Sequence, residues 1–108
     1  MRGSGDYGIR HHMRARLLYH IKDVYPDGAV LEVVIWKLPK ATRDRPHGLK
    51  YRIYYVSADR SVEIRYDNEA GKGDHRHRGN REEPYVFVNI ETLVGDFLAD
   101  VKATRGEK

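Results

Sequence analysis

Leu49-Lys50-Tyr51-Arg52-Ile53-Tyr54-Tyr55-Val56-Ser57-Ala58-Asp59-Arg60-Ser61-Val62-Glu63-Ile64-Arg65-Tyr66 decides the architecture. Leu49, Tyr51, Ile53 and Tyr55 alternate with Lys50, Arg52, Tyr54 and Val56, the period of two that sends successive strand side chains to opposite faces. Ser57 to Arg60 interrupt the run, and Val62, Ile64 and Tyr66 resume it. A β-hairpin with one apolar and one basic face is expected. With its turn centred between Ala58 and Asp59, Lys50 stands opposite Asp67 and Tyr51 opposite Tyr66.

Upstream, Ala15, Leu17, Tyr19 and Ile21 alternate with Arg16, Leu18, His20 and Lys22, and Tyr25-Pro26-Asp27-Gly28 supplies a turn. Pro presets φ there, Asp bonds back to the local backbone and Gly takes a positive φ. Residues 30–37 close this first hairpin and, apolar on both sides except at Glu32, read as a central strand. Downstream, Pro84-Tyr85-Val86-Phe87-Val88 reads as a short fifth strand with Pro at its first position. Asn89 is a good N-cap for a helix on which Ile90, Leu93, Val94, Phe97, Leu98 and Val101 make one stripe. The expected fold is α+β: a five-stranded antiparallel sheet of two consecutive hairpins plus a short fifth strand, with one C-terminal helix packed on one face. That helix should cover Leu17, Tyr19, Ile21, Leu31, Val33, Ile35, Tyr51, Ile53, Tyr55, Val62 and Ile64.

At 108 residues the chain suits one domain. Residues 1–12 read as an expression-vector leader, 13–104 as the domain and 105–108 as a tail, because Met1-Arg2-Gly3-Ser4-Gly5 has leader composition and Met13-Arg14-Ala15-Arg16-Leu17 looks like a native start. Setting aside Arg2, Asp6 and Arg10 lowers the formal charge of +4 by one. The absence of cysteine excludes disulfides, thiolate metal sites and a cysteine nucleophile, and fits a reducing compartment. No apolar run reaches membrane-spanning length, so a soluble cytoplasmic protein with no membrane partner is expected.

The face away from the helix should carry Arg16, His20, Lys22, Glu32, Trp36, Lys50, Arg52, Tyr54, Glu63 and Arg65. Cations interleaved with aromatic rings suit single-stranded RNA, which is held by its phosphates and by base stacking. Residues 39–48, with Pro39, Pro46, Lys40, Arg43, Arg45 and His47, read as a mobile basic flap at the same end of the sheet as residues 67–83. Candidate RNA contacts are Arg16, Trp36, Arg43, Arg45, His47, Lys50, Arg52, Tyr54, Arg65 and Arg78. The solvated side of a one-sided sheet, or a surface for an acidic partner protein, would use the same charges.

Chemistry concentrates in Asp67-Asn68-Glu69-Ala70-Gly71-Lys72-Gly73-Asp74-His75-Arg76-His77-Arg78. Cleavage of RNA without a metal needs a base for the 2′-hydroxyl proton, an acid for the leaving oxygen and cations for the transition-state charge. His75 and His77 are the candidate base and acid, Lys72, Arg76 and Arg78 the phosphate clamps, and Asp74 an opposing influence on the histidines. No cofactor is expected on this scheme. A rival scheme uses Asp67, Asp74, His75 and His77 as ligands for a divalent ion that activates water, although His-x-His alone is a weak pattern. In a third, the histidines only brace the loop and the chain is a non-catalytic RNA- or protein-binding module. Asp67 and Asn68 have their own bland role, turning the chain out of a strand.

Tyr66-Asp67-Asn68, Gly71-Lys72-Gly73-Asp74-His75-Arg76-His77 and Glu82-Glu83-Pro84-Tyr85, followed by a helix with Leu93, Phe97 and Val101, resemble the TumE family of toxins from type II toxin-antitoxin pairs. The similarity runs from about Met13 to Val101 and takes in Asp27-Gly28-Ala29-Val30 and Val34-Ile35-Trp36. The resemblance implies a growth-inhibiting ribonuclease encoded beside a helix-turn-helix antitoxin. The partners then expected are RNA and that antitoxin, seated on the basic face or the histidine loop, and a homodimer is left open.

Overall fold

The computed structural model describes residues 14–69 and 71–107. Its elements are β1 (Arg16–Val24), β2 (Val30–Lys37), β3 (Leu49–Val56), β4 (Glu63–Asp67), β5 (His75–Arg78), β6 (Arg81–Pro84) and α1 (Ile90–Thr104). The strands form one antiparallel sheet in the order β1-β2-β3-β4-β5-β6. The α+β class, the antiparallel sheet and the single C-terminal helix agree with the sequence reading. The strand number does not.

Six strands replace five because the histidine loop is itself a hairpin. Gly79 enters its turn at φ 65°, as the first residue of a tight hairpin turn demands, and Arg78 pairs with Arg81 across it. The segment expected as the fifth strand, Pro84 to Val88, pairs with no strand beyond Pro84. Its alternation is real but serves the helix layer. Tyr85 packs edge-on against Tyr66 at 5.0 Å and Phe87 lies 6.1 Å from Tyr51, whereas Val86 and Val88 face solvent.

Leu31, Val33 and Ile35 of β2, Leu49, Tyr51, Ile53 and Tyr55 of β3, and Ile64 and Tyr66 of β4 are buried on one face with Leu93, Phe97 and Val101 of α1. Asn89 caps the helix by accepting the Thr92 N–H at 2.7 Å. At the other end Arg105, assigned to the tail by sequence, lies over the Tyr25 ring at 3.9 Å and donates to the Tyr55 hydroxyl at 3.1 Å. The guanidinium thus ties the helix to the first turn.

Two expectations about β1 change. A helix is about 10 Å wide and strands lie about 4.8 Å apart, so one helix covers little more than two strands. α1 sits on the β4 side, and Tyr19 and Ile21 are left half exposed. A bulge between Leu17 and Tyr19 also puts Leu17 opposite Trp36 and packs Leu18 against the core instead. In the second hairpin Arg52 faces Asp67 and Ile53 faces Tyr66, two residues on from the expected register. Asp59 accepts bonds from Ser57 and Ser61, and Arg60 takes a positive φ of 65°, which moves the turn centre to Asp59–Arg60. A shift of two preserves parity, so every residue of β4 keeps its expected face.

On the helix side the sheet ends in polar contacts. The Tyr66 hydroxyl donates to Asp100 and accepts from Arg76, and burial, reinforced by the Asp100 bond, pushes that hydroxyl up to about 12. The Tyr51 and Tyr85 hydroxyls, donating to Asp74 and Asp96, are raised by burial as well. A raised folded-state value means stability that is full below the ordinary tyrosine value of about 10 and falls as pH climbs through the folded value. Urea midpoints should therefore drop as pH rises from about 10 toward 12, and Tyr66→Phe, having no proton to lose, should make that drop shallower.

Candidate active site

Parity within β5 separates the loop's charges. His75 and His77 face away from the helix, opposite Asp67 and Arg65 of β4, while Arg76 and Arg78 face the helix, opposite Tyr66 and Ile64. Arg76 pairs with Glu83 at 2.7 Å and approaches Asp100 at 3.6 Å; Arg78 approaches the same two carboxylates. The Arg76 bond holds the Glu83 carboxyl below its usual range. Both arginines are thus placed to join the hairpin to the helix, and the structure does not bring them to the histidines.

Asp74 also stands apart. Its carboxylate accepts from the Tyr51 hydroxyl at 2.7 Å and from His47 Nε2 at 2.9 Å, while His47 Nδ1 accepts the Leu49 N–H. The His47 ring lies 4.2 Å from Phe87. Together with Arg45 Nε donating to the Asn68 carbonyl and Gly71 N–H donating to Asp44, this pins residues 39–48 to the loop after β4, at the shared end expected from sequence. Arg45 and His47, two of the candidate RNA contacts, make these tying contacts. Arg43 and Arg16 are exposed, and exposed Lys72 lines a shallow hollow with Asp74, His75 and Glu82.

What remains on the open face is a compact centre. Asp67, 5% exposed, places Oδ1 2.8 Å from His75 Nε2 and Oδ2 3.1 Å from Arg65 Nε. Both contacts are bent, so neither Asp67 Oδ1 nor Arg65 Nε completes a directed hydrogen bond. His75 Nδ1 donates to the Gly73 carbonyl at 3.0 Å. His77 packs edge-on against His75, with ring centroids 5.2 Å apart. Glu82 of β6, opposite His77, puts Oε2 3.4 Å from the Nε2 atoms of both histidines. Sequence reasoning passed over Glu82. Its signal was the Gly79-Asn80 turn, which sets residue 82 across from residue 77.

Asp67 also lines a groove of about 520 Å³ with Trp36, Arg45, Lys50, Arg52 and Glu69. Among the described residues Lys50 and Arg52 pair with no carboxylate, and the Arg52 guanidinium lies 5.7 Å from the centroid of the Tyr54 ring. The Tyr54 hydroxyl donates to Glu32, which raises it; Glu32, whose other partner is His20, is held low, chiefly by the His20 bond. The groove thus combines two aromatic residues, Trp36 and Tyr51, with Arg45, Lys50, Arg52 and the carboxylates Asp67 and Glu69, and Asp67 links it to the histidine centre.

No helix among the described residues is long and apolar enough to cross a membrane. Neither the curated proteins nor the solved structures compared with the chain give a match. The sequence profile of the family described as Toxin TumE matches residues 6–105, nearly the whole chain, and the chain belongs to that family.

Proposed function

We propose that this toxin is an endoribonuclease whose substrate strand lies in the groove of the open face and is cut beside Asp67, His75 and His77. A toxin of this family implies an antitoxin as its partner. The observation that carries the reading is the convergence of a buried carboxylate and two imidazoles at the edge of a groove containing Trp36, Lys50 and Arg52. A phosphodiester needs cations along its path, a flat ring for an unstacked base and a group that handles protons at the scissile phosphate. All three stand on one face here. Any proton transfer at that phosphate falls to this cluster and not to Arg76, Arg78 or Asp74, which lie on the helix side.

His77 is the more accessible of the two imidazoles, at 22% side-chain exposure against 9% for His75, so its loss tests chemistry with least risk to the fold. After brief expression without a partner, wild type should generate new cellular RNA ends. His77→Ala, alone or with His75→Ala, should reduce them by about a hundredfold or more at equal soluble amounts. Growth arrest over intact RNA would remove the nuclease reading and favour a non-catalytic grip on RNA or protein.

A further inference from the structure

Asp67, His75 and His77 come from two neighbouring strands, yet their polar ends meet, and Glu82 of β6 reaches the two histidines from beside that trio. One oxygen of Asp67 and one nitrogen of each histidine lie within 4.8 Å of one another, and Glu82 Oε2 is 3.4 Å from both Nε2 atoms. We propose that these four side chains hold a divalent cation of the zinc class.

The tautomer of His75 is the first reason. Its Nδ1–H is given to the Gly73 carbonyl, so a neutral ring presents the Nε2 lone pair to Asp67 Oδ1 at 2.8 Å. Two electron-rich atoms at that distance need a positive charge between them, either a second ring proton or a cation. A ring N–H donated to a backbone carbonyl, with the other nitrogen turned to a carboxylate, is also how metal-binding histidines are oriented. Asp67 gives the second reason. Its Oδ1 is buried and lacks a directed donor, so a lone pair in the interior is left for a cation to satisfy.

Spacing is the third. Ligands at the usual 2.0–2.1 Å from zinc lie about 3.3 Å apart in a tetrahedron, close to the 3.4 Å from Glu82 to each histidine. The shorter Asp67–His75 edge suits the narrower angle of a five-coordinate ion. Two carboxylates and two neutral imidazoles balance the charge of a divalent ion, and this donor set fits zinc better than the harder magnesium or calcium. Arg65 stays on the other Asp67 oxygen and leaves Oδ1 for the ion. Asp74, proposed as a ligand from sequence, is replaced by Glu82.

Glu82 is half exposed, so solvent reaches the ion and a phosphate oxygen could take an open position beside the groove. That catalytic consequence rests on the ribonuclease reading; the binding of the ion does not.

Full-length protein purified without metal-affinity resin should take up one zinc per chain by elemental analysis, and Co²⁺ in its place should give the visible absorption of a low-symmetry site. His77→Ala and Glu82→Gln should each weaken uptake by at least the ten- to hundredfold that loss of an outer-shell partner causes. His20→Ala, on the same face, should change nothing. Glu82→Gln alters an exposed side chain, so circular dichroism can confirm that it folds. No stoichiometric uptake, or uptake indifferent to both substitutions, overturns the metal site. Zinc bound without new RNA ends leaves the site standing and removes the ribonuclease; RNA cleavage by a protein that takes up no metal does the reverse.

Discussion

Replacing Asn68 by alanine should destabilise the protein by about 2–4 kcal/mol, because two buried backbone groups lose their only replacement partner. The β3–β4 ladder ends at Arg52 and Asp67, and the side chain of Asn68 carries it further. Its Oδ1 accepts the Tyr51 N–H at 3.0 Å and its Nδ2 donates to the Leu49 carbonyl at 2.9 Å. A carboxamide has the donor and acceptor of a peptide unit, so this side chain acts as one more strand residue. Asn68 is 0% exposed, which leaves no room for water to take over. Each stranded group costs about 1–3 kcal/mol, and each kcal/mol is about 4–8 °C of melting temperature near this size. Asn68→Asp should be no milder, since it keeps the acceptor but sets a second oxygen against the Leu49 carbonyl. Urea unfolding at neutral pH measures both. A loss below about 0.5 kcal/mol, the size of an ordinary surface change, would show that Leu49 and Tyr51 find other partners.

Asp67→Ala should do two things at once. Arg65 and His75 would face each other across β4 and β5 without the carboxylate between them, and breaking a buried pair this way costs about 3–5 kcal/mol. The lower end is expected, because Arg65 keeps 25% exposure and Glu63 at 3.7 Å. If the open face is the reactive centre, the same change should also abolish RNA cleavage and zinc uptake. The two effects can be separated. Asp67→Asn combined with Arg65→Met removes the unpaired charge, so it should recover most of the stability measured by urea and none of the activity. Recovery of both would show that Asp67 acts only as a structural anion.

The long strands and the helix were legible because water enforces their pattern: Leu49, Tyr51, Ile53 and Tyr55 alternate with polar residues, and Leu93, Phe97 and Val101 recur at helical spacing. The histidine hairpin was not, because His75-Arg76-His77-Arg78 and Arg81-Glu82-Glu83-Pro84 are polar at every position but Pro84 and show no apolar period. Ion pairs to Glu83 and Asp100 replace hydrophobic contacts on the helix side of β5, so the usual signal of an inward face is missing. With that strand unseen, Arg76 and Arg78 could not be told apart from His75 and His77. Asp67 and Asn68 differ in the same way: the sequence offers them as one turn, and only the fold gives Asn68 to the backbone and Asp67 to the site.

Alternation along β3 and β4 also bears on how such a protein can change over generations. The residues that seat the helix, Tyr51, Ile53, Tyr55, Ile64 and Tyr66, share strands with Lys50, Arg52 and Arg65 but alternate with them onto the opposite face of the sheet. Substitutions at exposed Lys50 and Arg52 should stay within about 0.5 kcal/mol of neutral for the fold, so the groove is free to drift toward a new target or away from a neutralising partner. That freedom ends at Asp67 and Asn68, adjacent buried positions whose side chains hold Arg65 and His75 in one case and the backbone of β3 in the other, so that neither can drift without a cost to the fold.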